Sequence, residues 1–140
     1  HQVRPSLRPL GHRHWVIEDL ARRGLVDMVA MDLKAPLAEL AYRRAAGRAV
    51  DLDHIRRGID FLVSSGVDHE FRSTIWPAWH GPRELEAMGQ AIKGARAWTL
   101  QGLRPETAWD LAALGGGRPY TAQEIAQLQQ QYADPVTVRR

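Results

Sequence analysis

Three features of the sequence predict an α/β fold whose parallel sheet forms part of a wide or incomplete barrel. Helical and extended stretches alternate in the order helix, strand, helix, strand, helix, strand, helix. Strands separated by helical segments of about 10 to 15 residues imply right-handed βαβ units and a parallel sheet. Residues 26–36 form a short apolar run, Val26 to Leu33, that breaks into two charges, Asp32 and Lys34, and a proline, Pro36. Such a run suits a strand covered on both faces that presents functional groups at its carboxyl end. Residues 68–76 alternate between a face with His69, Phe71, Ser73 and Ile75 and a face with Glu70, Arg72, Thr74 and Trp76. A strand face carrying an acid, a guanidinium and a hydroxyl suits the inside of a barrel holding a polar ligand, or an edge strand with that face in water.

Taken in order, residues 1–14 contain Pro5, Pro9 and Gly11 without apolar periodicity, which predicts an irregular segment. Trp15, Val16, Ile17, Leu20 and Ala21 have helical spacing up to Arg23, with Gly24 placed as the C-cap. The first strand follows, near 26–33. Beyond Pro36, residues 37–46 read as a short helix ending at Gly47. Asp51 or Asp53 then caps a stronger helix with apolar positions Leu52, Ile55, Ile59, Leu62 and Val63, closing at Gly66. The second strand spans about 68–76, and Pro82 opens a helix to about Lys93. The third strand lies near 96–102. Gly115-Gly116-Gly117 forms a loop, lacking the flanking strand and Lys-Ser/Thr of a phosphate-binding loop. Thr121 and Glu124 make a capping box for a last helix to about Tyr132, after which Pro135 and the terminal arginines read as a tail over 133–140.

The composition narrows the function classes. At 140 residues the chain suits one domain, and 44% hydrophobic with 25% charged residues is ordinary for a globular protein. The net charge of +3 comes from arginines scattered over predicted helices, at Arg22, Arg23, Arg43, Arg44, Arg56 and Arg57 among others. Scatter of this kind argues for solvated faces and against a nucleic-acid groove. With no cysteine there is no disulfide and no thiolate-held metal or cluster within the chain. The sequence has neither an apolar run of membrane-spanning length nor a signal peptide, so a cytoplasmic location away from membranes is expected.

The strand ends carry the candidate site. Side chains two apart share a face, so Asp32 and Lys34 emerge together, as do Arg72 with Thr74, while Thr99 and Gln101 share a face and lead to Arg104. Ligands in parallel α/β folds bind at the carboxyl ends of the strands. Cations set among hydroxyl and amide groups suit a ligand bearing a carboxylate or phosphate, Arg offering a bidentate fork and Lys a point charge. An Asp-x-Lys in a loop also makes a simple local ion pair. His80, in the loop after the second strand, reads as a surface or helix-capping histidine or as a catalytic one. Trp76, Trp79, Trp98 and Trp109 suit either packing or a pocket wall.

Residues 26–36, together with Asp68-His-Glu-Phe-Arg-Ser-Thr-Ile-Trp-Pro77 and Leu100-Gln101, resemble the C-terminal half of the radical S-adenosylmethionine activases of glycyl-radical enzymes. Among these the match is to the anaerobic ribonucleoside-triphosphate reductase activating proteins, over about Val16 to Pro105. The resemblance implies half of a parallel (β/α)6 partial TIM-like barrel, as three consecutive βα units over 15–132 with an open edge. It implies S-adenosylmethionine and a [4Fe-4S] cluster as cofactors, and a glycyl-radical enzyme, the anaerobic ribonucleotide reductase, as partner. Lys34 would meet the cofactor's carboxylate, with Asp32 near a cation or orienting Lys34. Arg72 and Thr74 would anchor other polar groups, and Gln101 stands near the place where related activases have a histidine. The chain departs from the family in having no cysteine for the cluster loop. It is therefore expected to be the later half of a barrel whose N-terminal half lies upstream, on another chain, or was lost, and to be inactive alone. Two other readings are a non-catalytic α/β binding or interaction module and a phosphate-ligand barrel without radical chemistry.

Overall fold

A computed structural model describes residues 14–25, 27–108 and 111–138, with side chains from Glu18 to Val136 within these ranges. The expectations for residues 1–13, for Trp15, Val16, Ile17 and Val26 as packing positions, for Trp109 and for the last two arginines lie outside them.

The described chain is an α/β structure with one open sheet of three parallel strands in the order β1-β2-β3. The strands are β1, Met28–Asp32, β2, Asp68–Ile75, and β3, Trp98–Gly102. The predicted strands lay within two residues of these bounds, except that 96–97 only approach the sheet, the carbonyl of Ala97 accepting from the N–H of Phe71 at 2.8 Å. Around the sheet run α1, His14–Arg22, α2, Glu39–Ala46, α3, Leu52–Ser65, and α4, Pro82–Ala91. The helix starts and stops have local causes. The Asp51 carboxylate accepts from the N–H of Asp53 at the start of α3, and Gly66 ends it with φ of 81°, a left-handed conformation that costs a Cβ-bearing residue.

Side-chain alternation gives the sheet two unlike faces. Val29, Met31 and Leu33, then Phe71 and Ile75, then Trp98 and Leu100 are buried in one core with Ile55, Ile59 and Leu62 of α3 and Leu85 and Met88 of α4. A small residue lets α4 approach closely: a Cβ on Gly89 would stand 3.3 Å from the Trp98 ring. The opposite face carries Asp32, Glu70, Arg72, Thr74, Thr99 and Gln101, none of them fully buried. A doubly wound sheet buries both faces, whereas this open sheet packs one face into the core and leaves polar side chains on the other.

The C-terminal region departs from the predicted ending. The capping box at Thr121 is formed, the Thr121 hydroxyl accepting from the N–H of Glu124 and the Glu124 carboxylate from the N–H of Thr121, and α5 runs over Ala122–Leu128. The helix then passes through a π turn, Gln129–Ala133, into α6, Asp134–Val138, where a tail had been expected. In the wide turn the N–H of Asp134 reaches the carbonyl of Gln129, five residues back. The widening accommodates Pro135, which lacks an N–H and would press on the carbonyl four residues earlier in a regular helix. Burial supplies the reason to continue: Ala133 and Val136 belong to the core.

Candidate functional site

Parallel register places the polar residues in rows. Asp32 pairs with Arg72 and Arg72 with Thr99, while Thr74 pairs with Gln101. Lys34 lies two residues beyond Asp32, past the last paired residue of β1. Contacts within the face leave donors over. The Arg72 Nε donates to a Glu70 carboxylate oxygen, and the Thr99 hydroxyl donates to the other oxygen at 3.2 Å. Among the described residues the two terminal guanidinium nitrogens of Arg72 have no hydrogen bond, so the fork that would clasp a carboxylate is kept. Gln101 donates its amide N–H to the Thr74 hydroxyl at 2.9 Å, which frees that hydroxyl to donate outward. The Lys34 side chain is exposed, with no carboxylate of the described residues in ion-pair reach.

The end of β1 is held by side chains as well as by the ladder. The N–H of Leu33 donates to the carbonyl of Arg72 at 2.9 Å, and the Ser73 hydroxyl donates to the Leu33 carbonyl at 2.6 Å. Trp98 Nε1 in turn donates to Ser73 at 2.9 Å, which fills the hydroxyl's acceptor role in the core. At Lys34 the N–H donates to the Tyr42 hydroxyl at 3.4 Å, and the carbonyl accepts from Nε2 of His80 at 2.8 Å. Burial pushes the Tyr42 phenol up to about 12, since the ionised form would lose its water. Burial also lowers the pKa of His80, which favours the neutral imidazole.

Asp32, Lys34, Arg72, Thr74 and Gln101 line a single cleft of about 230 Å³ together with Leu33, Ala45, Trp79, His80 and Leu103. The donor set fits a carboxylate-bearing ligand. The volume is below the roughly 300 to 1,000 Å³ of pockets that enclose a drug-sized molecule, so this cleft suits part of such a ligand. A second cleft of about 300 Å³ lies between α4 and the π turn, lined by Glu86, Gln90, Lys93, Gln131 and Tyr132 among others. It shares no lining residue with the first cleft and has one cationic side chain, Lys93, where the first has Lys34 and Arg72.

All five predicted site residues come together, whereas Arg104 does not line the cleft. Of the tryptophans with described side chains, only Trp79 is a wall, with the Arg44 guanidinium 5.4 Å from its ring centre. Trp98 lies in the main core, and Trp76 is buried with Leu114, whose carbonyl accepts from its Nε1 at 3.1 Å. His80 is neither on the surface nor a helix cap. It is 1% exposed and bridges Trp76 and Lys34. Sequence reasoning also missed Tyr42, because its partner is eight residues away across a turn. No group of three or more His, Cys, Asp or Glu among the described residues could hold a metal ion. With no cysteine in the chain, its residues do not fit a [4Fe-4S] cluster.

Fold and cleft together define a class: an open parallel α/β sheet with a cationic, hydroxyl- and amide-lined cleft at the carboxyl ends of its strands. Over 129 residues the chain is 26% identical to the "putative glycyl-radical enzyme activating enzyme" of Methanocaldococcus jannaschii, an alignment taking in 89% of this chain and 53% of that protein. The chain thus spans about half the length of the curated relative it matches. No protein-family model matches it.

Proposed function

We propose that this chain is the later half of a partial (β/α)6 barrel that binds S-adenosylmethionine in an activating enzyme of glycyl-radical proteins. The observation that carries the reading is the convergence of Asp32, Lys34, Arg72, Thr74 and Gln101 on one cleft at parallel strand ends. The similarity to the archaeal activating enzyme supports it, as does a sheet with helices on one face and polar groups on the other. S-adenosylmethionine, when bound, supplies the radical chemistry of such enzymes. The chain's own part is to bind and orient. The Lys34 ammonium and the open fork of Arg72 hold the carboxylate, while Thr74 and Gln101 bond neutral polar groups beside it. Asp32, flanked by Arg72, offers an acceptor to the ligand's ammonium. The cluster has no ligands here and belongs to the other half of the barrel. The sequence resemblance makes the anaerobic ribonucleotide reductase the partner we favour.

The test is a titration of S-adenosylmethionine into the isotope-labelled chain, read by nuclear magnetic resonance. Shifts concentrated in the signals of Asp32, Lys34, Arg72, Thr74 and Gln101 are expected, with weak affinity because the cleft is only part of a site. Unmoved signals in the cleft would reject the reading. They would favour a second one, a non-catalytic α/β interaction module, to which the absence of any cysteine lends support.

A further inference from the structure

His80 sits beneath the cleft, 1% exposed, with both ring nitrogens engaged. Nδ1 accepts from the N–H of Trp76 at 2.9 Å, and Nε2 donates to the carbonyl of Lys34 at 2.8 Å. An acceptor at Nδ1 defines the neutral tautomer with its proton on Nε2. Neither nitrogen is left for a ligand, so whatever His80 does for the cleft it does through the residue it grips. That residue is Lys34. Its other backbone anchor, the Tyr42 hydroxyl, is the longer contact at 3.4 Å. We propose that His80 is a positioning residue for Lys34: the neutral imidazole, itself held by the N–H of Trp76, fixes the end of β1 so that the ammonium meets an anionic ligand, and protonation of the ring breaks the bond to Trp76 and displaces that anchor. The proposal rests on the reading above for the identity of the ligand.

The displacement follows from hydrogen-bond chemistry, because the bond from Nε2 to the Lys34 carbonyl persists while the one at Nδ1 is lost. An imidazolium carries a proton on Nδ1, which would then face the N–H of Trp76 donor to donor. The Trp76 N–H is buried and would lose its acceptor, so the loop joining β2 to α4 must shift, and the Lys34 carbonyl shifts with it. The groups facing the ring come from several elements. Arg44 on α2 disfavours the charged ring, and Glu84 on α4 favours it. The Lys34 ammonium lies past the end of β1, and the Tyr120 hydroxyl donates to the His80 carbonyl at 2.7 Å. Burial outweighs the favourable contacts and places the titration on the acid side of the ordinary imidazole range.

The experiment is a pH titration of the full isotope-labelled chain, following the imidazole nitrogens of His80 and the amide signals of Lys34 and Trp76. At neutral pH the ring should report the Nε2–H tautomer, and both amides should move with the midpoint of its protonation. His80→Gln can offer an acceptor to Trp76 and a donor to Lys34 without titrating, so in that variant the Lys34 signal should no longer follow pH. S-adenosylmethionine binding should weaken about five- to tenfold on protonation in the native chain, the scale of one hydrogen bond, and stay level in His80→Gln. A Lys34 amide that stays still while His80 titrates in the native chain overturns the proposal, and this measurement needs no variant. An unchanged Lys34 titration in His80→Gln overturns it too. Coupled titration with no binding of S-adenosylmethionine supports the positioning role and rejects the ligand reading instead.

Discussion

At the scale of single residues, Lys34 and Arg72 separate a binding cleft from a decorated scaffold. Lys34 is exposed, so Lys34→Ala should leave thermal stability nearly unchanged while weakening S-adenosylmethionine binding by roughly 1.5 to 3 kcal/mol, the value of a charge-assisted hydrogen bond. Arg72→Lys should also weaken binding, because an ammonium can pair with Glu70 but cannot present a fork to a ligand. Calorimetric titration beside thermal melts checks both, and losses of stability that account for the whole effect would assign these residues to structure alone. Tyr42 gives a prediction in alkali. Its folded pKa of about 12 exceeds the unfolded value near 10, so the folded state keeps the phenolic proton longer. Stability should fall as pH rises from about 10 to 12, by about 1.4 kcal/mol per pH unit, and Tyr42→Phe should flatten that slope in denaturant titrations. His69 and His80 act on the acid side. Burial depresses both, so the unfolded chain takes up protons first, and stability should decline as pH drops below about 6.5.

At the scale of elements, the outer edge of β3 is closed by one side chain. The Gln129 carbonyl oxygen accepts from the N–H of Leu100 at 2.8 Å, and its amide donates to the carbonyl of Trp98 at 2.7 Å, as the peptide of a neighbouring strand would. An unpaired strand edge invites pairing with another chain. Gln129→Leu should therefore destabilise the fold by about 1 to 3 kcal/mol, the cost of unsatisfied buried polar groups, and promote concentration-dependent association. Urea unfolding and light scattering measure the two effects, and a variant as stable as the native chain and no more associated would show that water serves the edge equally well. The π turn belongs to the same device, because it carries Gln129 at the point where the helix crosses β3.

At the scale of the whole molecule, the chain gathers cationic, hydroxyl and amide groups in one cleft without any thiolate. Incubated with iron and sulfide, it should take up no stoichiometric [4Fe-4S] cluster and release no methionine from S-adenosylmethionine on reduction. Visible absorption, electron paramagnetic resonance and product analysis test this, and a cluster in stoichiometric amount would overturn the division of labour proposed between the two halves of the barrel.

Alternation of helix and strand patterns determined the parallel three-stranded sheet, because periods of 3.6 and 2 residues are written locally. The same local rule, side chains two apart on one face, put Asp32 with Lys34 and Arg72 with Thr74 before any coordinates. Which strand ends face one cleft is a matter of register, and register depends on packing between segments some 40 residues apart, such as Ser73 on the Leu33 carbonyl. The bridging contacts of His80 were invisible for the same reason: its partners at Trp76 and Lys34 are backbone groups, and a backbone carbonyl 46 residues away leaves no mark in the sequence. The continuation of the last helix past Pro135 was likewise decided by tertiary structure. Local propensity ends a helix before a proline, but burial of Ala133 and Val136 against β3 and α4 outweighs it once a π turn has made room for the ring.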